Sequence, residues 1–198
     1  MHKYIIILLT FGLLYSVDCQ DGYIDNTANS VTGEECIPEL FAYDTSQYFA
    51  SYIISNVTIN GDSIEPEDWV AAFYYTEQYG DLCIGARKWD ITQCLNNVCE
   101  VPVNGSSDIT MGYIQQGDIP TFRIYDDSED TYYLASIEGN ILNAWTGENS
   151  NGAFSNNAYY FVDSLSSNDI ACPAGYAWNN QTDLCTPELF LYNISPQQ

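Results

Sequence analysis

Residues 47–62 read Gln47-Tyr-Phe-Ala-Ser-Tyr-Ile-Ile-Ser-Asn-Val-Thr-Ile-Asn-Gly-Asp62, an alternating apolar run that ends in an Asn-Gly turn sequence. Alternation with a period of two is typical of a half-buried β-strand, and Asn-Gly is a strong signal for a hairpin turn. The pattern predicts an inward face formed by Ile53, Val57 and Ile59. Asn56 falls on the opposite face, so we expect its side chain to point to solvent.

Short segments of the same kind follow along the rest of the chain. Turn sequences rich in Gly, Asn and Asp separate them, and no segment has the periodicity of a three-turn helix. Strands are predicted over residues 69–76, 82–89, 121–126, 131–137 and 158–165, with a polar surface loop over 139–157. The first two are expected to pair as a hairpin through a turn at 78–81, and Phe122 and Ile124 are expected to face inward. This pattern predicts an all-β fold, a single β-sandwich of Ig-like or jelly-roll type.

The composition is strongly acidic. The 198 residues include 27 Asp and Glu, 4 Lys and Arg and one His, which gives a formal net charge of −23. His2 and Lys3 lie in a segment that we expect to be cleaved, so the mature chain keeps Arg87, Lys88 and Arg123 as its cations. Histidine-based catalysis and histidine-ligated metal sites then have no residue to use, and an acidic surface repels nucleic acid. We expect a folded acidic protein that is not an enzyme and does not bind nucleic acid.

The N-terminal sequence indicates secretion. A short positive segment precedes the apolar run 4–14, which is too short to span a bilayer and is typical of a secretory signal peptide. We expect cleavage after Ser16 or, alternatively, after Cys19, and release of an extracellular protein without a membrane anchor. The expected organisation is a signal peptide over 1–16, an N-terminal Cys loop over 17–37, the β-sandwich over 38–166, and a C-terminal Cys loop and donor-strand arm over 167–198.

Four Asn-x-Ser/Thr sequences follow the signal segment. They place acceptor side chains at Asn56, Asn104, Asn180 and Asn193. Because such sequences are N-glycosylation acceptors in secreted proteins, we expect covalent N-glycans at these four positions.

The seven cysteines indicate disulfides with one thiol left over. Their spacing predicts the pairs Cys19–Cys36, Cys94–Cys99 and Cys172–Cys185, with Cys94–Cys99 closing a tight loop across a hairpin. Cys83 lies between apolar residues in a predicted strand and is expected to be a buried free thiol. If cleavage instead follows Cys19, then Cys36 has to pair with Cys83 or with another chain.

A second copy of one short sequence lies near the C-terminus. Residues 36–46 read Cys-Ile-Pro-Glu-Leu-Phe-Ala-Tyr-Asp-Thr-Ser and residues 185–195 read Cys-Thr-Pro-Glu-Leu-Phe-Leu-Tyr-Asn-Ile-Ser, identical at seven of 11 positions. Upstream, a Cys-x-x-Gly-Tyr sequence occurs at 19–23 and again at 172–176. The chain thus begins a module, completes it and begins the same module again, which is typical of architectures that need a neighbour.

The C-terminal segment 187–194 is apolar on both faces of an extended chain. Its apolar side chains are Pro187, Leu189, Phe190, Leu191, Tyr192 and Ile194. Leaving such a strand in water costs roughly 1.5–3 kcal/mol for each large exposed side chain, and its unpaired backbone edge favours pairing. We expect it to pair with the edge of a second copy, a heterologous contact that generates head-to-tail polymers. Docking onto its own sandwich and proteolytic removal are the alternatives.

Four short segments, taken in their order along the chain, form a pattern that resembles a known kind of module. They are residues 57–61 (Val-Thr-Ile-Asn-Gly), 68–73 (Asp-Trp-Val-Ala-Ala-Phe), 83–85 (Cys-Ile-Gly) and 122–126 (Phe-Arg-Ile-Tyr-Asp). Together they resemble a β-sandwich module of secreted multi-module surface proteins. A module of this kind with a Cys-loop tail is also similar to subunits of extracellular glycoprotein filaments built head to tail. The resemblance implies a structural or adhesive role with no catalytic residues. One complete module followed by the beginning of a second favours a homopolymer.

Two acidic clusters are the candidate cation sites. Residues 65–68 and 126–130 hold several carboxylates each, which are the ligands that Ca²⁺ takes, but neither has EF-hand spacing. We expect solvated turns and no cofactor, with Ca²⁺ binding as the alternative. The cations of residues 87–88 are expected to form a salt bridge or a cation–π contact within the module.

Aromatic side chains favour a rival function. Trp145, Trp178, Tyr132 and Tyr159 are the residues that would stack on sugar rings if they are exposed. The rival hypothesis is therefore a monomeric carbohydrate- or surface-binding adhesive module.

Overall fold

The computed structural model describes residues 17–26, 34–94, 96, 98–168, 172–173, 176–179 and 184–187. These residues form strands and turns, with single 3₁₀ turns at Glu39–Phe41 and Ile91–Gln93. The strands are β1 (Tyr23–Asp25), β2 (Cys36–Pro38), β3 (Phe49–Ile54), β4 (Val57–Ile59), β5 (Asp62–Ser63), β6 (Trp69–Thr76), β7 (Gly80–Lys88), β8 (Cys99–Asn104), β9 (Thr121–Asp126), β10 (Thr131–Asn143), β11 (Tyr159–Ser167), β12 (Cys172–Pro173), β13 (Tyr176–Asn179) and β14 (Leu184–Pro187). The predicted all-β fold class is confirmed.

Two layers of strands face each other, and β10 belongs to both. In the first layer β8 pairs with β3, β3 and β4 pair with β11, and β11 pairs with the second half of β10. In the second layer β7 pairs with β6, β6 with β9, and β9 with the first half of β10. The pairs that β11 makes with β3 and β4 are parallel, whereas the others named here are antiparallel. The result is a sandwich whose layers are joined through one continuous strand.

The main core lies between the two layers. Its larger buried side chains include Tyr52, Ile54, Ile84, Trp89, Val101, Tyr113, Ile114, Phe122, Ile124, Tyr133, Phe154, Tyr160, Val162 and Leu165. Tyr52 stands in the centre, with its ring 5.5 Å from that of Phe122 and 4.9 Å from that of Tyr160 between centroids. The Tyr52 hydroxyl donates to the Gly152 carbonyl at 2.7 Å, so this buried polar group is satisfied.

The edge strands β7 and β8 meet on the side of the sandwich away from β10. The Asn104 amide Nδ2 donates to the Ile84 carbonyl at 2.8 Å and so links the two strands. Gly85 lies so close to β8 that a Cβ on it would overlap the Pro102 carbonyl oxygen. The seam between the layers therefore requires glycine at position 85.

The first predicted strand is divided in two. A break at Ser55–Asn56 separates β3 from β4, and the Ser55 amide still donates to the Val162 carbonyl at 3.0 Å across it. The break shifts the alternation by one residue, so Tyr52 and Ile54 are buried in β3 while Ile53 lies on the outer face and is partly exposed. The prediction for Ile53 is wrong for that reason. Val57 is buried and Ile59 packs against the core, as predicted.

Strand β10 is longer than predicted. It continues past Ile137 to Asn143 through a bulge between Glu138 and Ile141, where Gly139 has a φ of +83°. A glycine in polar surroundings was expected to start the loop, but here it supplies the left-handed conformation that a bulge uses. The surface loop predicted over 139–157 therefore begins only after β10 ends. The predicted hairpin of residues 69–76 and 82–89 is present as β6 and β7.

Candidate polymer interface

The N-terminal segment covers the outside of the second layer. The hairpin of β1 and β2 is tied by the Cys19–Cys36 disulfide and leads into the 3₁₀ turn Glu39–Phe41. Ile37, Phe41 and Tyr43 are buried against the sheet. We call the surface that they cover the outer apolar face; it is formed by Trp69, Ala71, Phe73, Cys83, Tyr125 and Tyr132.

Phe41 is the centre of this contact. Its side chain is 0 % exposed, and its ring centroid lies 5.3 Å from that of Tyr132 and 5.7 Å from that of Phe73 in edge-to-face geometry. The Cys83 thiol donates to the Phe41 carbonyl at 3.4 Å. Burial raises the pKa of the Cys83 thiol to about 12, so it remains a neutral donor at physiological pH. The prediction of a buried free thiol at Cys83 is confirmed.

The repeated sequence forms the same hairpin twice. In the first copy Tyr23 of β1 pairs with Pro38 of β2. In the second copy Tyr176 of β13 pairs with Pro187 of β14, and these residues are the counterparts of Tyr23 and Pro38 in the repeat. The register is therefore identical in both copies. The sequence predicted the repetition but not that the first copy docks on the sheet. The apolar spacing of Ile37, Phe41 and Tyr43 was the pattern that could have indicated this docking.

The described chain ends at the beginning of the predicted donor strand. Pro187 is the last residue of β14, and its backbone is described. Leu189, Phe190, Leu191, Tyr192 and Ile194, the other predicted interface residues, lie outside the described residues. The hairpin of β13 and β14, which follows the last strand of the sandwich, thus leads directly into the predicted donor strand.

Tyrosine hydroxyls and carboxylates form a polar rim beside the outer apolar face. Tyr23 donates to Asp127 Oδ1 at 2.5 Å, and Tyr125 donates to Asp130 Oδ1 at 2.9 Å. Burial is the main cause that raises the pKa of Tyr23 and Tyr125, and the neighbouring carboxylates raise it further. The rim therefore fastens β1 to the turn after β9 with neutral tyrosines.

The two predicted acidic clusters are brought together by Asp68. Its Oδ1 accepts from the Asp127 amide at 3.0 Å and its Oδ2 accepts from the Glu65 amide at 2.6 Å. Burial raises the pKa of Asp68, and the two backbone donors oppose that shift. Asp68 thus cross-links two turns. Among the described residues no group of three potential metal ligands is present.

The cations are engaged within the module. Lys88 pairs with Glu67 at 2.5 Å, and Arg123 pairs with Asp81 while its guanidinium lies 4.0 Å above the Phe73 ring. Burial lowers the pKa of Lys88, but the Glu67 carboxylate and other acidic neighbours outweigh it, and the net shift is upward. The predicted ion pairing of Lys88 is confirmed, and the cation–π contact is made by Arg123.

Two of the three predicted disulfides lie within the described side chains, and both are present, Cys19–Cys36 and Cys94–Cys99. The second closes a short loop between a 3₁₀ turn and the start of β8, and not the hairpin that was expected there. In this chain, which retains Cys19, Cys36 pairs with Cys19 and Cys83 is a free thiol; the alternative that follows from cleavage after Cys19 stays a prediction. The side chains of Cys172 and Cys185 lie outside the described residues.

The four predicted glycosylation sites differ in their surroundings. Asn56 is exposed at the break between β3 and β4, as expected. Asn104 is only 4 % exposed, its Nδ2 donates to the Ile84 carbonyl, and its Oδ1 accepts from the Ser46 amide at 3.0 Å. A glycan on Nδ2 would have to fit beside this hydrogen bond in a buried seam, so the folded geometry leaves little room for one, and glycosylation of Asn104 stays a prediction. Asn180 and Asn193 lie outside the described residues.

The predicted sugar-stacking aromatics do not form one surface. Tyr132 is only 6 % exposed and belongs to the outer apolar face, so that part of the prediction is wrong. Trp145 is 72 % exposed and packs edge-to-face on Tyr159 at a centroid distance of 5.6 Å. The Trp178 side chain lies outside the described residues. Of the predicted set, the exposed Trp145 and the partly buried Tyr159 thus remain as one pair.

Comparison of the chain with models of protein families, with curated proteins and with solved structures finds no match. None of the described segments is a helix long and apolar enough to cross a membrane. The two disulfides are compatible with a secreted protein, because such bonds persist in oxidising compartments. The function of the chain therefore has to be inferred from its own sequence and structure.

Proposed function

We propose that the chain is a secreted structural glycoprotein subunit that polymerises head to tail into an extracellular filament by donating its C-terminal β-strand to the next subunit. The observation that carries the proposal is the hairpin that occurs twice with one register. After the first hairpin come Phe41 and Tyr43, both buried on the sandwich. After the second come Phe190 and Tyr192, the same residue types at the same positions of the repeat.

The second set of aromatic residues needs a surface to cover it. In the part of the chain that the structure describes, the outer apolar face is already covered by residues 36–43. Each large side chain of residues 187–194 gains roughly 1.5–3 kcal/mol when it is transferred from water to an apolar contact. A second copy offers such a contact, and because the two surfaces differ, the contact repeats in one direction.

Charge favours single filaments over bundles. The net charge is −23, and the described ion pairs engage Lys88 and Arg123 within the subunit. Acidic surfaces of neighbouring filaments therefore repel each other, and a glycan on the exposed Asn56 would add bulk. The proposed contacts along the filament are apolar, so burial of their side chains opposes the repulsion between successive subunits.

The rival function is a monomeric carbohydrate- or surface-binding adhesive module. The observation that favours it is the exposure of Trp145, whose indole Nε1 donates to the Asn157 carbonyl at 3.2 Å and is held against Tyr159. Aromatic side chains fixed in this way are suited to binding apolar ligand faces. The proposed strand donation leaves this pair unused.

Negative-stain microscopy of the secreted full-length chain tests the proposal. Regular fibres are expected, and removal of residues 188–198 is expected to leave compact monomers, because β14 remains while the apolar anchors are gone. Removal of residues 196–198 is the matched control and should leave the fibres intact. Unchanged fibres after removal of 188–198 would exclude the donated strand, and compact full-length monomers that bind glycans would support the rival.

A further inference from the structure

We infer that the outer apolar face is the acceptor site for the donated strand, and that residues 36–43 of each subunit are an internal competitor of residues 185–192 from a second copy. The inference rests on the proposed function and adds to it the surface that receives the strand. It also predicts that the isolated subunit is held in a closed state by its own N-terminal segment.

The repeat matches the outer apolar face at most of the positions that cover it; the exception is Thr186, which stands at the position of the buried Ile37. Pro187, Leu189, Phe190 and Tyr192 are the counterparts of Pro38, Leu40, Phe41 and Tyr43. In the first copy Phe41 and Tyr43 are buried, while Ala42 between them is exposed. The larger Leu191 at the position of Ala42 therefore meets no obstacle from the sheet.

Hairpin geometry supports the same placement. The direction in which β2 leaves its hairpin delivers residues 39–43 to the outer apolar face. Because β14 pairs with β13 in the same register, the backbone leaves the second hairpin from the equivalent position. A second copy can present Phe190 as the first hairpin presents Phe41.

The covalent link within the chain favours the internal segment, residues 36–43, over residues 185–192 from a second copy. Exchange of the two segments replaces Phe by Phe and Tyr by Tyr, but it replaces the buried Ile37 by Thr186, so the apolar area buried falls at that one position. The internal segment is linked to its site through the same chain, which gives it an effective concentration in the millimolar range. A second copy displaces it only at high subunit concentration or when the internal contact is weakened.

A pair of substitutions in the full chain therefore has opposite expected effects. Phe41→Ala weakens the competitor and should lower the concentration at which fibres appear. Phe190→Ala weakens the donor and should raise that concentration at least tenfold. Sedimentation of a concentration series measures both, and a rise caused by Phe41→Ala at a temperature where the variant remains folded would overturn the inference.

A peptide experiment tests the acceptor site without any filament. The probe is a synthetic peptide of residues 184–195 with Cys185→Ser, added to the full chain that carries both Phe41→Ala and Phe190→Ala. Saturable binding should raise the melting temperature by about 5 °C or more at a hundredfold excess over Kd. It should also slow alkylation of Cys83, whose thiol lies beneath residue 41. The same peptide with Phe190→Ala should do neither.

The outcomes separate the inference from the proposed function. If neither peptide shifts the melting temperature or protects Cys83, or if both peptides act equally, the acceptor site is not the outer apolar face, even if fibres exist. If the wild-type peptide binds but no fibres form, the acceptor site holds and polymerisation fails. Should the Phe41→Ala chain not fold, Tyr43→Ala provides the same weakened competitor, since Tyr43 is also buried on this face.

Discussion

Replacing Gly85 with alanine is expected to lower the free energy of unfolding by about 3 kcal/mol or more. The added Cβ would overlap the Pro102 carbonyl oxygen, and backbone cannot move aside as the end of a flexible side chain can. The strands β7 and β8 would have to separate, which breaks the hydrogen bond from Asn104 to the Ile84 carbonyl and opens the core at Ile84. Thermal unfolding followed by circular dichroism should show a melting temperature lower by about 10 °C.

Gly61→Ala is the matched control for this substitution. Gly61 has a φ of +90° in the turn between β4 and β5, and a Cβ there meets no atom within 4 Å. The variant should be destabilised only by the backbone strain of a non-glycine residue with positive φ, by about 1–2 kcal/mol. If Gly85→Ala is no more destabilised than Gly61→Ala, the close seam between β7 and β8 is contradicted.

Phe41→Ala is expected to destabilise the subunit by about 3–5 kcal/mol. The side chain is fully buried between Phe73, Tyr125 and Tyr132, so its removal leaves a cavity on the outer apolar face. Urea unfolding at low protein concentration, where the subunit is closed, measures this difference. An increase in the rate of Cys83 alkylation should accompany it.

Tyr75→Ala is the control for the loss of an aromatic ring. Tyr75 lies on the neighbouring strand β6 but is 65 % exposed. Its removal should change the free energy of unfolding by no more than about 0.5 kcal/mol. Similar values for the two variants would mean that residues 36–43 do not stabilise the sandwich.

Local sequence patterns were sufficient to predict seven of the 14 described strands, among them β6, β7 and β9, whereas β8 of the first layer was not predicted. The turn residues and the apolar alternation predicted the hairpin of β6 and β7 and the buried side chains Phe122 and Ile124 of β9. Cysteine spacing predicted the two disulfides whose side chains are described. These features depend on neighbouring residues in the chain, so a pattern of period two or a short loop contains the necessary information.

The errors arose where distant strands decide the local geometry. The break at Ser55–Asn56 accompanies the parallel pairing of both β3 and β4 with β11, a strand about 100 residues away. The burial of Asn104 depends on the approach of β7, whose Ile84 carbonyl accepts its amide. Neither contact is visible in the surrounding sequence, so Ile53 was placed inward and the burial of Asn104 was not predicted.

The candidate interface was partly predictable. The repeated sequence identified residues 187–194 as a segment with a structural counterpart. The three-dimensional position of that counterpart, with Phe41 against Phe73 and Tyr132, required the fold. An apolar segment can be recognised from sequence, but the surface that covers it is assembled from strands that are distant along the chain.

The central claim is that the last apolar segment of one subunit lies on a sister copy. The direct measurement is photo-cross-linking with p-benzoylphenylalanine in place of Phe190. Equal amounts of ¹⁴N and ¹⁵N chains are mixed before assembly and irradiated, and the cross-linked peptides are identified by mass spectrometry. The account predicts mixed-isotope cross-links from position 190 to the sandwich of the other copy. Cross-links that join position 190 only to residues of the same isotope would place the segment on its own molecule and contradict strand donation.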